Sequence, residues 1–416
     1  MKSLEHRKVG RAWRVLQRIA TQPATLLTVL REAYRTNVDI PLDRALRAGR
    51  SGMPAVLNLE LTRRCNLRCR MCPQPRHVAA TSQKLDWYDP AQELPLATWV
   101  HVLDQAVAFK PRLYITGGEP LLYPAFDALV LEAKRRRLFV EVQTNGTRLA
   151  KVADLLVECG VNIITVSIDG PPAVHDEIRG AAGTFDRLRE GVEAILEARR
   201  RHGKPGPLLR GACVITQRNL QVLDDLVAAA TALGLDSMRC EHPIIDTPEN
   251  TARHNAVFTP EFATAHGMPM VAPSVMDGEY YENEIAVEDL PLLREKLRQA
   301  RQRAGGMPFV VLPELSDTAL RAYYFDMDFP FAQTCNALWK VCKIASDGSV
   351  LPCLHLVMGN VAKKSLADIW NGRPMVNFRK LVRRGLFPGC ARCCRRSYAA
   401  DRRRTAASIR TVPVAR

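Results

Sequence analysis

No apolar run in this chain approaches the length of a membrane span, and its charged N-terminus has no apolar stretch of the secretory kind. The expectation is a cytoplasmic protein with no transmembrane segment. Internal repeats are lacking. So are the zinc-finger, helix-turn-helix and RNA-binding-sheet signatures that would turn a net charge of +16 into a nucleic-acid interface. The basic residues instead fall in short runs, Arg135–Arg137, Arg199–Arg201 and the tail from Arg395 to Arg404. These fit solvated helix faces or attraction of an anionic substrate or partner, and nucleic acid is not expected. What the chain does have is cysteine. Twelve in 416 residues without a signal point to metal or redox chemistry rather than disulfides.

The length calls for two or three domains. Residues 1–50 read as a basic helical extension, with Val9, Trp13, Leu16 and Ile19 at helical spacing. Such a stripe packs on its own domain or makes weak contact with a membrane surface or partner. From about residue 54, strand-like stretches alternate with amphipathic helical ones. Strands are expected at Val56–Leu61, Leu113–Thr116, Phe139–Thr144, Ile163–Ile168, Leu208–Ile215 and Ser237–Cys240. Helices are expected at Phe126–Arg136, Val152–Cys159, Phe185–Arg200 and Leu220–Leu233. The alternation gives an α/β fold on a parallel sheet, either a partial (β/α)6 barrel or an open doubly wound sheet. Residues 245–330 are less periodic, with a helix at Leu290–Arg303 and "YYFDMD" (323–328) as a connection.

Polar groups follow every strand, and in parallel α/β folds the carboxyl ends of strands meet at one rim. After the first strand comes "LTRRCNLRCRMCPQP" (61–75), which sets Cys65, Cys69 and Cys72 at CxxxCxxC spacing. After the second comes "TGGEP" (116–120), after the third "TNG" (144–146), and after the fourth Ser167 and "DG" (169–170). Three closely spaced thiolates can hold three irons of a [4Fe–4S] cluster and leave the fourth open. A zinc or structural site completed by a distant ligand is the bland alternative.

The pairing of CxxxCxxC with GGEP in this strand context resembles the radical S-adenosylmethionine (radical SAM) superfamily over about residues 54–245. The resemblance implies a TIM-like partial barrel in which Cys65, Cys69 and Cys72 ligate a [4Fe–4S] cluster. S-adenosylmethionine chelates the open iron and is cleaved by one electron to a 5′-deoxyadenosyl radical. Gly117 and Gly118 are expected to bring backbone close to the cofactor, and Glu119 to pair with its amino group. Asn145 and Ser167 become expected contacts to ribose or carboxylate. Arg179, in "HDEIRG", meets the cofactor's charged end or is a surface salt bridge. The resemblance also implies a flavodoxin- or ferredoxin-type electron donor.

A second cysteine region holds Cys335, Cys342, Cys353, Cys390, Cys393 and Cys394. "KIASDGSVLPC" (343–353) reads as a hairpin turning at "DG". The arrangement is similar to the auxiliary-cluster domains called SPASM and twitch, but it lacks the full CxxCxxxxxCxxxC run. One auxiliary [4Fe–4S] cluster is expected, most simply on Cys335, Cys353, Cys390 and Cys393. Cys342 could replace one of these, Cys394 is spare, and a structural zinc site is the alternative. The expected division is a core at 51–265, a connecting helical segment at 266–330, a cluster domain at 331–400 and a basic tail at 401–416.

Among the other thiols, Cys159 reads as packing. Cys213 and Cys240 are packing residues or hydrogen-atom donors to a substrate radical, and Glu241, His242 and Asp246 are candidate bases. The implied function is oxidation or other modification of a small metabolite or a peptide. Peptide maturation, epimerisation with a cysteine donor and RNA modification are variants, and a non-catalytic Fe–S or zinc module is the rival class. No separate leader-peptide-binding domain is evident in the sequence.

Overall fold

The computed structural model describes residues 23–72, 92–269, 283–329, 333–353, 356–393 and 397–398. Strands β1 (Val56–Glu60), β2 (Arg112–Thr116), β3 (Phe139–Thr144), β4 (Ile163–Ser167), β5 (Leu208–Val214) and β6 (Ser237–Glu241) pair in parallel in chain order. Sequential parallel pairing is the order of a partial (β/α)6 barrel; an open doubly wound sheet would reverse it midway. Two further strands extend the sheet, one not expected from the sequence and one read there as a hairpin arm. β7 (Phe309–Leu312) pairs with β6, and β9 (Val341–Ile344) adds in parallel to β1. A two-stranded pair, β8 (Gln333–Thr334) with β10 (Ser397–Tyr398), joins the two ends of the C-terminal cysteine region.

Each strand alternates between two environments. Leu57, Leu59, Leu113, Ile115, Val140, Val142, Ile164 and Val166 are fully buried against the surrounding helices. The other face is layered. Phe139, Ile163 and Leu208 form a small separate apolar cluster at the strand starts. Above them Glu141, wholly buried, is paired with Arg112 at 2.6 Å and Arg210 at 2.9 Å. Burial pushes its carboxyl up, but the two guanidiniums outweigh this and hold it below the usual range. Above that layer, at the strand ends, this face opens into a cavity.

The helices follow from local signals. The longest, Thr184–His202, lies between Gly183 and Gly203, both in the left-handed conformation. Asp176 accepts from the Gly183 and Phe185 amides at its start. Within the aperiodic stretch, Asp317–Phe325 is a helix that takes in Tyr323 and Tyr324, where a connection was expected. The helix expected over residues 1–50 is seen from Pro23 to Leu46. Its earlier part, with Val9, Trp13, Leu16 and Ile19, lies outside the described residues, as do Cys394 and residues 401–416. Among the described residues no helix is long and apolar enough to cross a membrane.

Candidate active site

The cysteine loop leaves β1 at Leu61 and is held on both sides by backbone. Gly118 N donates to Thr62 O at 2.8 Å, and Glu119 N to Arg64 O at 2.9 Å. A Cβ on Gly117 would meet Thr62 O at 2.5 Å, and one on Gly118 would meet Arg64 O at 2.4 Å. The glycines were expected to bring backbone close to the cofactor; their bare Cα atoms are demanded by the packing of the cysteine loop as well. On the other side, Arg70 N donates to Ile178 O at 3.0 Å. Gly180, left-handed at the end of helix Pro172–Arg179, sits so close that a Cβ would be 2.7 Å from Arg68 O.

Cys65, Cys69 and Cys72 line a cavity of about 330 Å³ together with Gly117, Gly118, Asn145, Ser167 and Arg179. Leu67 N donates to Cys65 Sγ at 3.5 Å, and Arg179 Nη1 to Cys69 Sγ at 3.6 Å. Burial raises the Cys65 thiol, with Glu119 and Cys69 adding to it. Arg179 is buried and pairs at 2.6 Å with the fully buried Asp169. Burial alone would favour its neutral form, but Asp169 and Cys69 hold the guanidinium charged. It is therefore an interior cation touching a thiol, not a surface salt bridge. Asn145 lines the cavity while its Nδ2 donates to Asn66 of the cysteine loop at 2.9 Å.

Glu119 is placed differently from expectation. It is completely buried, is not among the cavity-lining residues, and its carboxylate accepts from Leu121 N, Thr144 Oγ1 and Asn145 N at 2.7–3.1 Å. Burial pushes its carboxyl up against the effect of those donors. It ties the β2 and β3 loops together, which sets the positions of the glycines and Asn145.

Of the expected catalytic residues, Glu241 lines the cavity and pairs with Arg239 at 2.8 Å. Cys240 does not. Strand alternation turns Arg239 and Glu241 to the cavity and Cys240, with no exposure, into the core beside Cys213. Cys213 contributes to the lining, but its Sγ accepts from Asn219 Nδ2 at 3.3 Å. His242 is also displaced from expectation: its Nδ1 meets Tyr324 Oη at 2.8 Å, and burial lowers its pKa to about 3. Asp246 accepts from Asn250 and Thr251 at the start of helix Pro248–Val257. Arg239 was missed, although its alternation with the apolar Met238 and Cys240 marks it as facing the cavity.

In the C-terminal region, burial pushes the Cys390 thiol well above its ordinary value, and Cys353, Cys335 and Cys393 add to the effect. Cys393 likewise raises Cys335. Cys390 therefore stands within electrostatic reach of the other three thiols, and Cys335 of Cys393. Cys342, the fifth candidate, is buried on β9 opposite Leu57, beside Arg379. Arg392, fully buried between Cys390 and Cys393, anchors their turn by donating to Tyr323 O at 2.7 Å, Ala322 O at 2.9 Å and Asp326 O. Among the described residues no three His, Cys, Asp or Glu side chains gather as ligands of a single metal ion do.

Thiols with amide and guanidinium donors on their sulfurs, facing a cavity, are a donor set that fits an iron–sulfur cluster. The comparisons agree. A family model described as the radical SAM superfamily matches residues 59–209, and SPASM, described as an iron-sulfur cluster-binding domain, matches residues 335–394. The chain is similar to the tungsten-containing aldehyde ferredoxin oxidoreductase cofactor-modifying protein of Pyrococcus furiosus, 26% identical over 359 residues, covering 81% of this chain and 86% of that one. It is similar to a PqqA peptide cyclase of Ruegeria pomeroyi, 27% identical over 328 residues, covering 76% and 74%. Its fold is similar to that of Streptococcus suis SuiB, solved bound to S-adenosylmethionine, with a TM-score of 0.56 at 18% identity, covering 84% of this chain and 74% of that one. The chain thus carries a radical SAM domain over residues 59–209 and, toward its C-terminus, a SPASM domain over residues 335–394.

Proposed function

We propose that the cavity at the carboxyl ends of β1–β6 is where this enzyme holds S-adenosylmethionine beside Cys65, Cys69 and Cys72 and brings a small metabolite or a peptide to it. The radical SAM domain implies a [4Fe–4S] cluster and S-adenosylmethionine, and the SPASM domain implies auxiliary iron–sulfur ligation. Bound there, these groups supply a 5′-deoxyadenosyl radical for hydrogen-atom abstraction and an acceptor for an electron.

The remaining tasks fall to the chain's own residues. Gly117 and Gly118 backbone, Asn145, Ser167 and Arg179 hold and orient the cofactor. Glu241, half-buried and paired with Arg239, is placed to take the proton that an oxidised substrate gives up. Cys335, Cys353, Cys390 and Cys393 hold one auxiliary cluster, and a flavodoxin- or ferredoxin-type protein is the reductant. The relative named for peptide cyclisation supports a peptide substrate, and the one named for cofactor modification supports a small molecule.

The single observation that carries this reading is that three thiols, the glycine backbone, Arg179 and Glu241 border one cavity. Its test is anaerobic reconstitution followed by iron counting and an assay for 5′-deoxyadenosine. Two cubes give about eight irons per chain, with nucleoside appearing on reduction. Fully loaded, reduced protein that releases no 5′-deoxyadenosine overturns it.

A further inference from the structure

From Pro23 to Leu46 the chain forms one helical ribbon: an α-helix (Pro23–Tyr34), a π-helical turn (Arg35–Asp39) and a second α-helix (Ile40–Leu46). One face is bolted to the protein. Arg35 is buried, pairs with Asp43 at 2.7 Å and donates to Ser51 Oγ at 2.8 Å. Arg44 reaches the Cys335 carbonyl at 2.9 Å, and Ile40 is fully buried.

The opposite face carries Leu26, Leu30, Tyr34, Val38, Leu42 and Leu46, each four residues from the last and 38% to 77% exposed. A four-residue repeat drifts around a helix of 3.6 residues per turn; the wider π turn takes back part of that drift and keeps the stripe on one side. An apolar stripe of this length has no role in the domain's own core, and exposed contiguous apolar surface marks an interaction site.

Charge indicates the partner. The ribbon's acidic groups are already neutralised: Glu32 pairs with Lys340 at 2.8 Å, and Asp39 and Asp43 pair with Arg35. Arg31 and Arg50 are exposed and have no ion pair among the described residues. The preceding residues bring Lys2, Arg7, Lys8, Arg11, Arg14 and Arg18 against a single acid, Glu5. Beside the stripe lies a groove of about 620 Å³, where Leu30, Tyr34 and Phe109 adjoin Arg31, Arg47 and Lys110, and where the carboxylates present, Glu32 and Asp39, are each paired with a cation. Residues 52–55 and 109–110 of this groove lead into β1 and β2, so it lies at the end of the sheet opposite the cavity.

We propose that this face docks the enzyme on an anionic phospholipid bilayer. The stripe beds into the boundary between headgroups and acyl chains, and the exposed Arg31 and Arg50 meet lipid phosphates. The active cavity faces away from the lipid and stays open.

The test is co-sedimentation of the full-length, reconstituted protein with vesicles of phosphatidylglycerol and phosphatidylcholine, against vesicles of phosphatidylcholine alone. Binding to the anionic vesicles is expected to be at least about tenfold tighter, from two to three arginines near the surface. It should weaken severalfold between roughly 0.1 M and 0.5 M salt. The Leu30→Glu/Leu42→Glu/Leu46→Glu variant should lose at least about tenfold in vesicle binding while keeping the parent's circular dichroism, iron content and 5′-deoxyadenosine release. Equal binding to both vesicle types overturns the proposal. So does undiminished binding of the triple variant, which would assign the lipid contact to residues 1–22. A parent dimer that the variant splits assigns the stripe to a second copy of the chain, and also overturns it.

Discussion

Residues 62–72 place three thiols on one loop and are gripped by backbone, whereas the C-terminal thiols come from three separated segments and are gripped by side chains. On the first loop, Gly117, Gly118 and Gly180 approach so closely that no Cβ fits. At the second, Arg44 holds the Cys335 carbonyl and Arg392 pins the Cys390–Cys393 turn to the helix carrying Tyr323. A contiguous motif draws its accuracy from absent side chains on neighbouring loops. A dispersed one draws it from long buried cations that can reach several carbonyls at once. The two sites should therefore fail separately, and in different ways.

The largest effect is expected from Cys69→Ser. It removes a thiolate and the acceptor of the Arg179 contact. Iron should fall by about four per chain and 5′-deoxyadenosine release to background, with the C-terminal site still loaded. Release near the parent's rate would mean that the first loop is not the site.

Gly118→Ala comes next and tests the backbone grip itself. Its Cβ would lie 2.4 Å from Arg64 O and 2.6 Å from Arg63 O, and neither backbone atom can swing aside. A stability loss of about 1–3 kcal/mol is expected, as for overpacking elsewhere. Loss of iron from the first site alone should accompany it. Thermal melting together with iron counting reads both, and a variant that loads fully would break the distinction drawn between the regions.

Arg392→Met is the corresponding test of the side-chain grip. The carbonyls of Tyr323 and Ala322 lose a buried cationic donor, at about 1–3 kcal/mol for unsatisfied groups. Iron should now leave the C-terminal site while S-adenosylmethionine cleavage in the first persists. Equal loss from both sites would show that they are one cooperative unit.

What the sequence revealed follows the same division. CxxxCxxC, GGEP and the six-strand rhythm are local patterns, so the barrel order and the cysteine loop were readable. The reason for the glycines was not, because the backbone they press against lies more than fifty residues earlier in the chain. β9 was read as one arm of a hairpin, and an antiparallel bridge from Ile344 to Val350 does form. Its parallel pairing with β1 spans most of the chain and has no local signal. Cys240 and His242 were misplaced for a simpler reason. Sitting at a strand's carboxyl end brings a residue to the rim, but strand alternation then decides whether the side chain enters the cavity, and Arg239 and Glu241 took that face.

The smallest effect is expected at Cys342, where the sequence left a choice and the fold supplies a reason to decide it. On β9, Cys342 and Ile344 share the buried face, while Lys343 turns to the other side and pairs with Glu60 at 2.7 Å. Turning Cys342 to the other face would take a one-residue slip of β9 against β1, and it would bury the Lys343 ammonium in the core. Cys342→Ser should therefore leave iron content and 5′-deoxyadenosine release as in the parent. Its one cost should be about 1 kcal/mol of stability from placing a hydroxyl in an apolar position. Cys353→Ser, made beside it, should lose auxiliary iron. If the two variants behave alike in iron counting, the C-terminal ligand set includes the strand, and the boundary between the two regions runs through β9 rather than beyond it.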